Sequence, residues 1–204
     1  MTTSVIIWTA LVPWLLLVWI FQRVSGLSGL GGLFLVSALA LGVVVFPWLG
    51  HPLPYWTAGL GANFSVILAG LLVLAILRGG FSCSLFRPRD WRATWCFGAL
   101  GAILLYPSAL GLGPGGWDVY ALGWPWLSWG QSFFFFASAG VASAGLILVG
   151  NRFGYLLLLA LLASALGMQE SDNLWDYLLD PAYASASLVA VLYLAGRRYF
   201  GGRG

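Results

Sequence analysis

The sequence contains no lysine, one histidine and six acidic residues in a chain of 204 residues. Charged residues make up only 7% of it, whereas a soluble domain devotes roughly a quarter of its residues to charge. The absence of lysine excludes a retinal Schiff base, and a single histidine excludes a three-histidine zinc site. The sequence also has no P-loop, no G-x-G-x-x-G before a helix and no G-x-S-x-G elbow. The sequence therefore contains no complete catalytic constellation.

Hydrophobic residues make up 61% of the chain, and long uncharged runs separate the few charges. A helix needs about 20 apolar residues to cross the hydrocarbon layer, where its backbone must satisfy its own hydrogen bonds. We predict an all-α integral membrane protein, one polytopic domain over residues 1–204, with about seven transmembrane helices and six or eight as alternatives. The helices are expected at about 4–22, 30–49, 57–77, 93–110, 131–150, 153–168 and 181–196. The stretch GHPLPYW, residues 50–56, is interpreted as a loop because of its prolines and glycine.

A seven-helix arrangement places all nine basic residues on one side of the membrane. These are Arg23, Arg78, Arg87, Arg89, Arg92, Arg152, Arg197, Arg198 and Arg203. Arginine-rich loops stay in the cytoplasm, so the N-terminus is predicted outside and the C-terminus in the cytoplasm. The expected location is a bacterial cytoplasmic (inner) membrane, and the net charge of +3 reflects topology rather than a nucleic-acid partner.

Ionisable residues near the bilayer midplane usually mark ion or proton pathways, and none is predicted there. This argues against a proton-coupled transporter. Asn63 is the one amide expected well inside a span, where bridging two helices is the simpler interpretation. Cys83 and Cys96 are expected at or near the cytoplasmic side, where a disulfide is not favoured.

Residues 111–130 form an outer loop that is unusually aromatic and rich in glycine and proline. We predict a short re-entrant or interfacial segment there. Its tryptophans, with one from the next outer loop, form either an aromatic belt or a platform for a sugar or lipid headgroup. They are Trp117, Trp124, Trp126, Trp129 and Trp175.

Four of the six acidic residues lie in the outer loop 169–180, and this loop is the main candidate site. They are Glu170, Asp172, Asp176 and Asp180. Asn173 with Asp176 resembles a capping box, and Asp180 before Pro181 resembles an N-cap followed by proline at N1. A helix through the segment would instead align Asp172, Asp176 and Asp180, and such a face favours a partner or a cation. No cofactor is predicted, and a divalent cation at the acidic loop is one alternative.

On the cytoplasmic side the sequence RPRDWR, residues 87–92, gathers Arg87, Arg89 and Arg92 around Trp91. Basic residues next to a membrane attract anionic headgroups. We interpret these arginines either as an anionic-lipid contact or as topogenic charges alone.

Small residues recur at ASAGVASAG, 137–145, and AYASASLVA, 182–190, and such stripes let helices approach closely in lipid. We predict a non-catalytic polytopic membrane subunit, a scaffold, assembly or accessory chain of a larger membrane complex. Its expected partners are other integral membrane proteins and membrane lipids, and no nucleic acid. The alternative is a membrane enzyme acting on a lipid or lipid-linked substrate at the extracytoplasmic face, and a third class is a facilitator for a neutral or lipidic solute.

Overall fold

The computed structural model describes residues 3–58, 64–112, 118–124 and 131–201. Within these ranges the chain is helical and has no strand. The described residues form seven longer helices and two short ones, with a 3₁₀ turn at Tyr120–Gly123 between α5 and α6. They are α1 Thr3–Ser25, α2 Gly29–Val45, α3 Leu53–Ala58, α4 Val66–Phe81, α5 Pro88–Ala109, α6 Gln131–Leu148, α7 Phe153–Ala165, α8 Leu174–Leu178 and α9 Pro181–Gly201. The all-α prediction is confirmed for the described residues.

The seven longer helices match the seven predicted helices in order, with two local corrections. Residues 50–56 are not entirely a loop, because α3 begins at Leu53 and places Pro54 in its first turn, where a missing N–H costs nothing. The helix expected from residue 57 begins as α4 at Val66, where the Ser65 hydroxyl accepts a hydrogen bond from the Leu68 N–H. Asn63 lies outside the described residues.

One described helix is long and apolar enough to cross a membrane, the Ile7–Ser25 part of α1. Four other apolar helices are shorter, at Gly29–Val45, Val66–Phe81, Phe133–Leu148 and Phe153–Ala165. The thirteen residues of α7 rise about 20 Å at 1.5 Å per residue, against roughly 30 Å of hydrocarbon. The structure therefore bears out the helices themselves, and the number of membrane spans stays a prediction.

Close packing between the helices depends on small residues. In the antiparallel pair α5 and α9, Gly98 faces Ser187, and the Tyr183 hydroxyl donates to the Thr94 carbonyl at 2.6 Å. In the pair α6 and α7, the Ser143 hydroxyl donates to the Gly154 carbonyl at 2.8 Å. One side of each predicted small-residue stripe thus packs inside the molecule.

Helix α1 lies against both α2 and α4, with polar side chains that bond to neighbouring backbone. The Trp14 indole donates to the Ser37 carbonyl at 3.1 Å. Near the opposite ends of α1, Trp8 donates to the Phe64 carbonyl at 2.9 Å and Gln22 to the Ile76 carbonyl at 3.2 Å. Helices α1 and α4 therefore run parallel.

The charges separate to opposite ends of the helices. One end, which we call the acidic end, holds the loop 169–180 and the N-termini of α4 and α9. The other, the arginine end, holds the N-termini of α5 and α7 and the C-termini of α1, α4 and α9. Every described arginine lies at or near the arginine end, and Asp90 is the one described acid there. Arg203 lies outside the described residues.

Candidate functional site

Asp180 joins the first turns of two helices at the acidic end. Its Oδ1 accepts hydrogen bonds from the Ala182 and Tyr183 N–H groups, both at 2.9 Å, which caps α9. Its Oδ2 accepts from the Ser65 N–H at 2.9 Å and from the Ser65 hydroxyl, just before α4. The residue is 2% exposed, so four protein donors replace the water that its carboxyl group loses on folding. The N-cap interpretation of Asp180 is confirmed, and its second role at α4 could not be foreseen from the local sequence.

The acidic loop contains a short helix, α8, and not one continuous helix. Asn173 caps α8 by accepting from the Trp175 N–H at 3.0 Å. The other half of the expected capping box does not form, because the Asn173 N–H donates to the Ser171 hydroxyl. Since α8 ends at Leu178, Asp172 and Asp180 lie outside it and the predicted alignment of three aspartates does not form.

Helix α8 packs against the first part of the aromatic loop. The Trp175 indole donates to the Val119 carbonyl at 2.9 Å, and the Asn173 amide donates to the Tyr120 carbonyl at 3.0 Å. Asp118 caps the 3₁₀ turn by accepting from the Tyr120 and Ala121 N–H groups. The described parts of the two predicted outer loops, which the sequence singled out separately, therefore form one polar cluster.

Asp176 lies at the surface of this cluster and is half-buried. Its Oδ2 accepts a hydrogen bond from the Tyr120 hydroxyl at 3.0 Å. Burial and the neighbouring Asp176 carboxylate raise the pKa of Tyr120 to about 12, because both disfavour the phenolate. Burial also raises the pKa of Tyr177, whose hydroxyl accepts from the Gln169 N–H at 3.1 Å. Both phenols stay neutral at pH 7 and act as hydrogen-bonding groups.

The remaining two acids of the loop, Glu170 and Asp172, are exposed. Of the four candidate acids, the structure thus buries Asp180 completely, half-buries Asp176 and leaves two facing outward. Among the residues that the structure describes, no three His, Cys, Asp or Glu side chains are grouped as metal ligands. A cation at the acidic loop stays a prediction.

The five tryptophans of the predicted aromatic platform do not share one environment. Trp175 is 7% exposed and packs on Phe135 with ring centroids 4.7 Å apart, so it cannot offer a free ring face to a ligand. Trp124 is half exposed and lies 6.2 Å from the Tyr120 ring. Trp117, Trp126 and Trp129 lie outside the described residues.

At the arginine end, some residues of the predicted lipid contact form hydrogen bonds within the protein. Asp90 is fully buried and accepts from the Arg87 N–H at 2.8 Å and the Arg152 N–H at 3.2 Å. The Arg89 guanidinium donates to the Gly150 carbonyl at 2.6 Å while half of its side chain stays exposed. Arg92 is exposed. Arg87 and Arg89 thus lie beside one buried carboxylate, and with Arg92 they leave surplus positive charge facing outward.

Sequence inspection missed Ser65, Gln169 and Tyr120 as members of the acidic-end cluster. Ser65 directly precedes an apolar run, which is a recognisable N-cap signal. Gln169 is buried and donates to the Phe64 carbonyl at 2.9 Å, and its partner is 105 residues away along the chain. No local pattern reveals contacts of that range.

No protein family model, curated protein or solved structure matches the chain.

Proposed function

We propose that the chain is a non-catalytic subunit of a membrane complex, in a bacterial inner membrane with its arginine end in the cytoplasm. The observation that carries this proposal is which side chains the protein buries and which it exposes. Asp180 and Asn173 are buried and bonded within the protein, whereas large apolar side chains are exposed on the outer faces of the helices. Phe34 is 78% exposed and Leu148 86% exposed. Such surfaces are stable in lipid or against another apolar surface.

Helix α6 has a side suited to another helix. It uses Ser143 and Ile147 against α7, while Ala137, Val141 and Ala144 are exposed on another side. Their spacing of four and three residues forms one stripe, and small residues in a stripe permit close helix contact in lipid. This exposed stripe supports a partner that is itself a membrane helix.

Native purification tests the proposal. The chain, expressed at natural level in its own membrane and purified in mild detergent, should bring another integral membrane protein with it in a fixed ratio. Ala137→Leu should weaken that association because it fills the stripe, while leaving the isolated chain as stable as before. Ala38→Leu, the same change at an exposed position of α2, is the matched control. Recovery of the chain alone, in repeated preparations in several mild detergents, would contradict the subunit proposal.

A lipid-directed enzyme is the second candidate, and the pairing of Asp176 with Tyr120 favours it. The pair is a half-buried carboxylate and phenol beside Trp124, at the predicted outer membrane surface. A carboxylate in such a place can act as a general base. A lipid intermediate that is retained by the purified chain and lost in Asp176→Asn would favour this candidate over the subunit.

A further inference from the structure

An apolar groove of about 510 Å³ lies between α5 and the helix pair α6 and α7, and α8 lines one end of it. From α5 it is lined by Ala93, Cys96 and Leu100, and from α6 by Phe135, Ala142 and Leu146. Leu100 is 62% exposed, so the groove is open along its side and not enclosed in the core. Its form results from the small side chains of α6, which leave space where larger residues would have met α5.

The arginine end of the groove is positively charged. Arg89 lies four residues before Ala93, which places it one turn earlier on the same side of α5. Its guanidinium donates a hydrogen bond to the Gly150 carbonyl, in the turn that follows α6. Arg89 therefore links α5 to α6 at the arginine end of the groove, which we call its mouth. Arg92 stands four residues before Cys96 and is exposed. The nearby acid, Asp90, is buried and bonded to backbone N–H groups, and its carboxylate lies 3.7 Å from the Arg89 Nε and 4.0 Å from the Arg87 Nε. One carboxylate among these arginines and Arg92 leaves a net positive charge at the mouth.

The groove runs along most of α6, from the arginine end to the acidic end. Residues 135 to 146 of α6 rise about 16 Å at 1.5 Å per residue, which is about half of the roughly 30 Å hydrocarbon layer. The opposite end is closed by Trp175, which packs on Phe135. The groove therefore combines an apolar channel of acyl-chain length with a cationic mouth at one end only.

We infer that this groove binds one acyl chain of an anionic phospholipid, with the headgroup phosphate held by Arg89 and Arg92. The occupant follows from charge complementarity at the mouth and from the apolar lining below it. Arginine suits phosphate because its planar group donates several hydrogen bonds at once. The inference rests on the proposed membrane location and is independent of the proposed protein partner, since Ala137 lies outside the groove lining.

Native mass spectrometry of the chain released from nanodiscs tests the inference. The nanodiscs contain equal amounts of phosphatidylglycerol and phosphatidylcholine, and the readout is the ratio of the two lipids retained. Arg89→Gln with Arg92→Gln should lower the retained phosphatidylglycerol relative to phosphatidylcholine by roughly fivefold for each arginine. Arg197→Gln with Arg198→Gln removes the same charge from exposed positions on α9, outside the groove lining, and should lower the ratio less than the Arg89 and Arg92 variant does.

A second pair of variants tests the groove itself. Ala142→Leu fills it without altering charge and should reduce retention of both phospholipids, whereas Ala38→Leu should not. An unchanged lipid ratio in the Arg89 and Arg92 variant overturns the headgroup contact, and full retention in Ala142→Leu overturns the groove. Failure of the wild-type chain to enter nanodiscs would instead contradict the membrane proposal. Loss of a co-purifying protein in Ala137→Leu concerns only the subunit proposal.

Discussion

At the scale of single residues, Asp180 shows how one carboxyl group can organise distant segments. Its two oxygens face different helices, so the N-termini of α4 and α9 cannot separate without leaving buried donors unpaired. An unpaired buried donor costs about 1–3 kcal/mol. The local sequence contains only the α9 half of this arrangement, since Ser65 lies 115 residues away.

Replacing Asp180 should therefore destabilise the folded chain, and alanine should cost more than asparagine. Asp180→Asn keeps one oxygen to cap α9 but turns an NH₂ group towards the Ser65 N–H, at a cost of about 1.5–3 kcal/mol. Asp180→Ala loses the cap as well and should cost about 1 kcal/mol more. Thermal unfolding in detergent measures both, and Asp172→Ala, at an exposed position, should stay within about 0.5 kcal/mol of the wild type. Equal melting temperatures for Asp180→Ala and Asp172→Ala would refute this role.

At the scale of the helices, α5 and α9 form a close pair because Gly98 has no side chain. A Cβ atom added there would lie 2.8 Å from the Tyr183 Cζ atom and also meet Ser187. Both neighbours are buried, so neither can move aside without disturbing other packing. The pair α6 and α7 has a similar dependence on Gly154, where an added Cβ would lie 2.6 Å from the Ser143 carbonyl oxygen.

Gly98→Ala should accordingly lower stability even though alanine favours helix. Overpacking of a tight contact costs about 1–3 kcal/mol, more than the roughly 1 kcal/mol that alanine contributes through helix propensity. Gly196→Ala is the control on α9, since nothing lies within 4 Å of the added Cβ, and it should unfold at or above the wild-type temperature. Melting temperatures in the same detergent make the comparison. A Gly98→Ala protein as stable as Gly196→Ala would show that α5 and α9 are less closely packed.

At the scale of the whole molecule, charge is distributed to opposite ends of a largely apolar bundle. The acidic loop, the first part of the aromatic loop and the N-termini of α4 and α9 meet at one end. Arg87, Arg89 and Arg152 meet around Asp90 and Gly150 at the other. Among the described residues the seven longer helices connect these ends alternately, as the predicted polytopic topology requires, and the positive-inside rule would place the arginine end in the cytoplasm.

Cysteine labelling tests the orientation in intact cells. Starting from a chain in which Cys83 and Cys96 are serine, Asp118→Cys and Asp172→Cys should react with an impermeant maleimide. Arg198→Cys should react only after the membrane is permeabilised, because it lies at the arginine end. All three native positions are exposed, so differences in labelling report the side of the membrane rather than burial. Labelling of Arg198→Cys alone in intact cells would invert the orientation.

The sequence by itself determined the helical class, the order of the seven longer helices and the separation of arginines from most acids. These follow from local properties, namely apolar runs, turn residues and the sign of neighbouring charges. It also identified Asp180 as a helix cap, because capping involves residues within the next turn. The sequence did not predict α3, and it located the start of the third predicted helix, now α4, less well. Residues 50–57 are compatible with either loop or helix, and contacts with neighbouring segments decide between the two.

Only the tertiary structure decided what the singled-out residues contact. It placed Trp175 inside the molecule, joined Asp176 to Tyr120 and broke the expected line of three aspartates at Leu178. The groove beside α6 likewise depends on which helices pair, since the same small residues would have been covered had α5 packed on α6. Such outcomes depend on which of many nonlocal contacts of similar strength form together. Local propensity does not depend on those contacts and therefore cannot predict them.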